Sequence, residues 1–359
     1  MAISLKSWSG SIEEIYNLIV NDSWVVSYNE TSTFDYTPEF LGWYMENPAV
    51  RKDDMLVLYD DDELVGFCVC VRRNYLLNGE VVTGLFATAL SVKSSDLRKG
   101  YGSIMCVEFL KKYKALYQET GEPEVLCYFN DDDRPTSYIF PRANDDIGVT
   151  MNKLQKVNLQ AKIFSVERLG RIENIKPYEK VLMMITGKYR RYKGEYSQCV
   201  EEYNQRHLPR CLELVNKKSA AQDFSPIFEQ EELGHYLQYK GFSNTLVFEF
   251  ENRVIGLIQY RIITLTGKKT TEKFGFIDWL CDQELSKNQA KALISACLDK
   301  IKSADVIAAI YCDMPILKDT YLKYFSFLPY PRKVFLSTSV FDKDRYPFDN
   351  VVRSYEPIS

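Results

Sequence analysis

The sequence predicts an α/β fold with a mixed sheet, arranged as two similar domains in tandem. Three observations support this prediction. The chain has 359 residues, more than one hydrophobic core usually organises. Three strand-like stretches joined by tight turns are followed by a helix and a further strand, the order of a crossover connection. The first hairpin also recurs later in the chain, with position 56 matching position 246.

The first three strands are expected to form a mostly antiparallel meander. Apolar, β-prone sequence over residues 55–59 and 64–71 flanks a turn at residues 60–62, which predicts a hairpin. An Asn-Gly turn at residues 78–79 then leads into a mostly apolar third strand over residues 81–92.

A helix and a fourth strand are expected after the meander. An amphipathic helix should end at Gly121, because four apolar residues before it fall at helical spacing: Met105, Phe109, Tyr113 and Leu116. The β-prone run at residues 124–129 follows the helix, as a crossover connection requires.

The second domain is expected to keep the scaffold of the first and to lose one of its sites. The Leu-Val and Gly positions 56, 57 and 66 recur as 246, 247 and 256, and a helix-like run covers residues 290–298. The glycines at 100 and 102 are replaced by Ala290 and Ala292, and the basic residues at 98 and 99 by Asn288 and Gln289. We expect the domains to span residues 1–178 and 179–359.

Composition and charge indicate which partners to expect. The formal net charge is −4, so no overall positive field exists to hold a nucleic acid backbone. The N-terminus lacks the apolar run of a secretory signal, and no stretch approaches the length of a membrane-spanning helix. We therefore expect a cytoplasmic protein with no nucleic acid and no membrane partner.

The cysteines and histidines indicate chemistry without a metal. The nine cysteines lack the paired spacing of a metal site, which is typical of reduced thiols. Cys68 and Cys70 alternate on a strand and are expected in the core. His207 and His235 are interpreted as structural, because neither has ligand-spaced cysteines or carboxylates around it.

The segment from Leu90 to Ser103 has the features of an anion-binding site. A strand end is followed by a turn with two glycines and by the start of a helix, whose first amides have no partner within the helix. Arg98 and Lys99 add positive charge at the same place. A nucleotide-binding loop would need more glycines or a Gly-Lys-Ser ending. The basic, aromatic run at residues 188–193 is interpreted as a solvated linker or exposed strand, with a phosphate contact as the alternative.

These features resemble the GNAT superfamily of acyl-CoA-dependent N-acyltransferases. The cofactor loop of that family reads Arg/Gln-x-x-Gly-x-Gly/Ala, and residues 97–102, Leu-Arg-Lys-Gly-Tyr-Gly, match both glycines. Leu97 departs from the first position, so the nearest basic residue, Arg98, is displaced by one. Residues 40–48 also resemble a sequence that precedes the first strands of some members. The second domain resembles the family only through its repeat of the first.

The resemblance implies acetyl-CoA or another acyl-CoA as the cofactor, together with the residues that bind it. Backbone amides of the third strand, at Leu90, Ser91 and Val92, would hold the pantetheine arm and polarise the thioester carbonyl. The loop and the helix start would bind the pyrophosphate. This second group comprises Leu97, Arg98, Lys99, Gly100, Tyr101, Gly102 and Ser103.

The resemblance also implies catalytic residues. Many relatives carry a glutamate base on the third strand, but residues 85–92 contain no carboxylate. This leaves Asp131, or its neighbour Asp132, as the expected base, while Thr88 or Ser91 could order a water. Relatives commonly protonate the departing thiolate with a tyrosine on the next helix, and Tyr138 lies in that region.

Two further candidates come from tandem relatives and from the repeat. Some tandem relatives use a terminal carboxylate as the base, which would make Ser359 a candidate. Asp278 and Trp279 lie on the second domain's equivalent of the third strand. We interpret them as a buried structural pair, with a substrate contact as the alternative.

The expected function is N-acyl transfer, most simply acetyl transfer, from acyl-CoA to a primary amine of a small molecule or a protein. One alternative is a non-catalytic module that binds acyl-CoA or another protein. Another keeps the enzyme but gives it a longer acyl donor. The oligomeric state is left open, with a homodimer among the options.

Overall fold

The computed structural model describes residues 3–19, 33–94, 99–131, 136–186, 191–267, 270–313, 319–346, 348 and 350–357. Fourteen strands in these ranges form one sheet. Their bounds are β1 (Ile3–Ser7), β2 (Thr33–Asp35), β3 (Met55–Asp60), β4 (Glu63–Leu77), β5 (Glu80–Val92), β6 (Val125–Asp131), β7 (Thr150–Ile163), β8 (Val200–Glu202), β9 (Phe224–Ile227), β10 (Ser243–Phe250), β11 (Arg253–Gly267), β12 (Thr270–Cys281), β13 (Ala308–Asp313) and β14 (Leu328–Val340).

Ten α-helices within the described residues pack around this sheet. They are α1 (Ile12–Asn17), α2 (Pro38–Met45), α3 (Tyr101–Thr120), α4 (Thr136–Ile147), α5 (Val166–Ile172), α6 (Pro177–Thr186), α7 (Leu208–Ser219), α8 (Gln230–Leu237), α9 (Lys287–Ser303) and α10 (Asp319–Phe325). None of these helices has the combination of length and apolar sequence that crossing a bilayer requires.

The structure confirms the predicted meander and crossover helix. β3, β4 and β5 pair antiparallel in sequence order, and β5 and β6 pair parallel across α3. Gly121 caps the C-terminus of α3 in a left-handed conformation, with φ of 79°. β4 runs on to Leu77, past the predicted end at Val71, because the charges of Arg72 and Arg73 are compensated by buried carboxylates.

The repeat of the first hairpin is also confirmed. β10, β11, β12 and β13 pair in the same order and directions as β3 to β6. The register of β3 with β4 shifts between Leu58 and Tyr59, and that of β10 with β11 shifts between Phe248 and Glu249. These shifts occupy equivalent positions, so the two copies share a strand irregularity as well as an order of elements.

The centre of the sheet is formed by an exchange of strands. The order is β6, β14, β7, β13, with all three pairs antiparallel. The last strand of the second half therefore pairs with β6 of the first half, and β7 of the first half pairs with β13 of the second. The domain boundary at residue 178 stays a prediction, since neither sequence half completes its own part of the sheet.

Four groups of buried side chains pack against the sheet, one of them around Tyr75, Phe86 and Phe224. A second lies under α3 and α4 and includes Cys68 and Cys70, which confirms their predicted place in a core. A matching group lies under α9. The largest group joins β-strand residues of both halves to α1, α2, α7 and α8. All nine cysteines are free thiols.

A buried charged cluster lies on the face of β4 that points towards α8. The guanidinium of Arg73 forms ion pairs with Glu356 and, at 2.9 Å, with Glu232 of α8. It also donates a hydrogen bond of 2.6 Å to the hydroxyl of Tyr236. One positive charge thus faces two carboxyl groups. Arg73 can therefore neutralise only one of them when both are ionised. Burial raises the pKa of Glu232 and of Glu356 to about 7 each.

This cluster predicts how stability depends on pH. A carboxyl group in the unfolded chain titrates near pH ~4.3, so the folded protein binds more protons between about pH 4.5 and 7. The free energy of unfolding should therefore fall as pH rises through that window, by at most about 1.4 kcal/mol per pH unit for each carboxyl. Urea unfolding at pH 5, 6 and 7 measures the slope.

Glu232→Gln should reduce this slope, because it removes one of the two titrating groups and leaves Glu356 paired with Arg73. Glu231→Gln is the matched control, since Glu231 lies next to Glu232 on α8 with an exposed side chain. Equal slopes in the two variants would contradict the assignment of the pH dependence to the cluster.

Candidate active site

In the first half of the chain, β5 and β6 separate towards their C-terminal ends. Their parallel pairing covers Gly84 to Phe86 on β5 and Val125 to Cys127 on β6. Beyond these residues β5 continues along β4 to Val92, while β6 continues along β14 to Asp131. The two strands therefore open a wedge between residues 87–92 and 128–131. A ligand's extended arm can pair with backbone groups in such an opening.

A β-bulge lies on the β5 side of this wedge. Val69 is paired with Thr88 and Phe67 with Ser91, so Ala89 and Leu90 together face the single residue Cys68. Ala89 has a left-handed backbone, with φ of 52°, which costs about 1–2 kcal/mol for a residue with a side chain. A bulge takes backbone groups out of the regular ladder. Amides around Leu90 become candidate donors for a carbonyl oxygen.

The start of α3 lies beside the end of β5. Gly100 is the N-cap with φ of 68°, and a Cβ atom at this position would meet nothing within 4 Å. A Cβ atom on Gly102 would lie 3.3 Å from Ile139 Cδ1 and 3.7 Å from Val92 Cγ2. The glycines therefore serve two needs, a left-handed turn at 100 and close packing of α3 against β5 and α4 at 102.

Lys99 and Tyr101 are held by a carboxylate at the end of β3. The Tyr101 hydroxyl donates a hydrogen bond of 2.5 Å to Asp60, and Lys99 Nζ lies 3.1 Å from the same oxygen. The hydrogen bond from Tyr101, with help from Lys99, holds the pKa of Asp60 below its usual value. The Tyr101 side chain is buried in the core, so a ligand at the helix start would meet its backbone amide.

The remaining predicted residues take different positions. Leu90 and Val92 are half-buried, Ser91 is buried and Ser103 is exposed on the first turn of α3. Tyr138 lies near the start of α4 with 64% of its surface exposed. The backbone of Asp131 pairs with Val334 of β14. Several predictions lie outside the described residues: Leu97, Arg98, Asp132 and Ser359, together with the side chain of Asp131.

Thr88 has a structural partner. It is buried, and it forms a side-chain hydrogen bond with Tyr44 of α2. In the second half, the equivalent Asp278 forms a buried ion pair with Arg261 of β11, and Trp279 packs on Phe228. Asp278 and Trp279 are buried, as predicted, and their structural role stays an interpretation.

In the second half, side chains of the protein contact the equivalent strand end and helix start. The N-cap of α9 is Ser286, whose side chain accepts a hydrogen bond from the amide of Gln289. Lys218 Nζ donates a hydrogen bond of 2.6 Å to the carbonyl of Leu280, and the Tyr355 hydroxyl contacts that of Asp278. These groups contact the second half's equivalents of the end of β5 and the start of α3.

The described residues also bring together one set of metal-type side chains, formed by Glu201, His207 and Glu249. Sequence reasoning missed it because Glu249 lies on another strand. Arg206 donates hydrogen bonds to both carboxylates, at 3.1 and 3.3 Å. His207 Nδ1 accepts a hydrogen bond from the backbone amide of Asn204. Arg206 compensates one of the two carboxylate charges, and its Nε donates a hydrogen bond of 2.9 Å to His207 Nε2. Both ring nitrogens of His207 therefore have protein partners, which favours a structural role.

Sequence reasoning also missed Asp60 and the Arg73 cluster. The sequence places Asp60 in a turn, and its hydrogen bond with Tyr101 depends on the packing of α3 on β3. The signal for the cluster was present in the sequence, since Arg72 and Arg73 interrupt an apolar strand. Buried arginines need partners, but the carboxylates that pair with Arg73 come from α8 and the C-terminal segment.

The fold resembles solved acyltransferase structures. The sequence matches no protein-family model and no curated protein. The structure is similar to Saccharomyces cerevisiae N-myristoyltransferase with bound myristoyl-CoA, with a TM-score of 0.73 and 12% identity over 94% of this chain and 79% of that one. A second structure of the yeast enzyme gives a TM-score of 0.72 and 14% identity.

A bacterial structure gives a weaker match of the same kind. The GCN5-related N-acetyltransferase from Anabaena variabilis has a TM-score of 0.58 and 9% identity, over 95% of this chain and 73% of that one. Together the matches confirm the predicted fold class, an α/β chain with two GNAT-like halves.

The geometry predicts that Gly100→Glu weakens binding of coenzyme A by about tenfold or more. The substitution puts bulk and negative charge at the positive end of α3, where the pyrophosphate is expected. Isothermal titration measures the affinity.

Gly121→Glu is the matched control for this variant. Gly121 has the same left-handed backbone at the other end of the same helix, and a Cβ atom there also meets open space. Equal affinity for coenzyme A in the two variants would remove the start of α3 from the site.

Proposed function

We propose that the protein transfers an acyl group from an acyl-CoA to a primary amine by direct attack of the amine on the thioester. One observation carries this proposal. The bulged end of β5 diverges from β6 and lies beside the glycine-capped start of α3, which supports one binding site made of strand amides and helix amides. The similarity to acyltransferase structures supports the same function.

The residues present fit an acyl-CoA. The amides of Tyr101, Gly102 and Ser103 begin α3 without acceptors within the helix, and they would bind the pyrophosphate. Backbone groups at Leu90, Ser91 and Val92 would pair with the pantetheine arm. The acyl-CoA, when bound, supplies an activated thioester.

The chain's own groups would then stabilise charge and move protons. A backbone amide that the bulge at Ala89 takes out of the β4–β5 ladder would donate a hydrogen bond to the thioester oxygen as negative charge develops there. A donor of this kind contributes about 100- to 1,000-fold to the reaction rate. Asp131 is the proposed base that accepts a proton from the amine. Tyr138, exposed at the start of α4, is the proposed acid for the departing thiolate.

Acetyl-CoA is the donor that we propose from the sequence. A longer acyl chain is the second candidate, and one observation favours it. The match to yeast N-myristoyltransferase has the higher TM-score of the two types of enzyme. The acceptor is an amine of a small molecule or a protein, and the second half would shape its pocket.

The function is tested by the release of free thiol from acetyl-CoA and from myristoyl-CoA. The acceptors are a panel of polyamines, amino sugars, and peptides with a free N-terminus or a lysine. We expect amine-dependent thiol release with one donor. Thermal stabilisation by acyl-CoA without turnover on any amine would favour the non-catalytic module. The absence of both turnover and stabilisation would refute the proposal.

The proposed acid and base predict separate changes in the pH dependence of kcat. Tyr138→Phe should lower kcat by about 100- to 10,000-fold, leave the Kd for coenzyme A unchanged and remove the fall in rate at high pH. Asp131→Asn should remove the rise in rate at low pH. Tyr117→Phe, near the C-terminal end of α3, is the control. It should keep both the rise in rate at low pH and the fall at high pH. A variant with an unaltered profile would lose its assigned role.

A further inference from the structure

Helix α6 presents an apolar face to solvent. Five large side chains on it are exposed by more than half: Tyr178 (64%), Val181 (56%), Leu182 (56%), Met184 (65%) and Ile185 (68%). Positions 178, 181, 182 and 185 follow helical spacing and share one face. Met183, on the other side of the helix, packs against the main core. The helix is thus attached to the protein by one side and leaves an apolar surface on the other.

Basic residues flank this helix in the sequence. Residues 174–193 contain six Lys and Arg and one Asp or Glu, in a chain whose net charge is −4. Four of the six lie within the described residues and are exposed: Lys176, Lys180, Arg191 and Lys193. Arg191 forms an ion pair of 2.8 Å with Asp299 of α9, so Lys176 and Lys180 are the charges beside the apolar face. Lys188 and Arg190 lie outside the described residues and count here as sequence only. The segment therefore has a local charge opposite to that of the whole protein.

We propose that α6 lies on the surface of a membrane that contains anionic lipids. Its apolar face would enter the boundary between headgroups and acyl chains, and the lysines would extend to the phosphates. A contiguous apolar face is uncommon on a monomer and indicates an interaction site. The positive charge selects the partner, because a second copy of this chain would bring like charge to the same surface. The proposal is independent of the proposed catalytic activity.

The lack of a membrane-spanning stretch does not conflict with this role. A spanning helix needs about 20 apolar residues, whereas a helix in the interface plane needs one apolar face and a basic surrounding. The expectation of no membrane partner came from the first criterion alone.

Co-sedimentation of the full chain with vesicles tests the proposal. The vesicles contain phosphatidylcholine alone or phosphatidylcholine with about 30% phosphatidylserine. We expect binding to the second kind, and a loss of that binding in 0.5 M NaCl, since salt screens the attraction. Leu182→Gln with Ile185→Gln should weaken binding at least tenfold, and Lys176→Glu with Lys180→Glu should do the same.

A matched control removes two exposed apolar side chains elsewhere. Val81→Gln with Val352→Gln changes residues that are 62% and 78% exposed on β5 and in the C-terminal segment. This variant should bind the vesicles as the unchanged protein does, and all variants should keep its melting temperature. The proposal is overturned by an absence of binding to anionic vesicles, or by equal loss in the control. Self-association that Leu182→Gln with Ile185→Gln abolishes, without vesicle binding, would assign the face to a second copy.

Discussion

The pairing of β14 with both β6 and β7 is the constraint on which the rest of the structure depends. It joins the two halves into one sheet, and it supplies β6 with a full partner from Val125 to Asp131. That partner is what allows β6 to separate from β5 after Cys127. A strand that left both neighbours would expose its backbone groups. The opening in the first half is thus maintained by a strand of the second.

The two halves use one scaffold in opposite ways. In the first half a bulged strand end lies beside a glycine-capped helix start, where we propose that the ligand binds. In the second, Lys218 and Ser286 satisfy the equivalent carbonyl and amide groups. A strand end gains stability from packing partners, so these contacts stabilise one of the two copies while the proposed site stays with the other. The difference between the copies also indicates where a ligand would bind.

The sequence predicted local structure well and long-range pairing poorly. The meander, α3 and the repeat follow from periodicity and turn residues, and the structure agrees with them. The exchange of β7 and β14 has no local signal, because residues 125 and 340 pair across most of the chain. Within the site, the type of a residue did not show which way its side chain points. Tyr101 belongs to the glycine loop as predicted, but its side chain points to Asp60 in the core.

The distance between β6 and β14 in the chain has a consequence for biosynthesis. A ribosome adds about 5–20 residues per second, so β14 emerges roughly 10–40 seconds after β6. During that interval the first half has its meander and helix but lacks the neighbour that closes β6. The nascent chain therefore presents an open strand edge, the kind of surface that chaperones cover. The opening between β5 and β6 can form only once nearly the whole chain has been made.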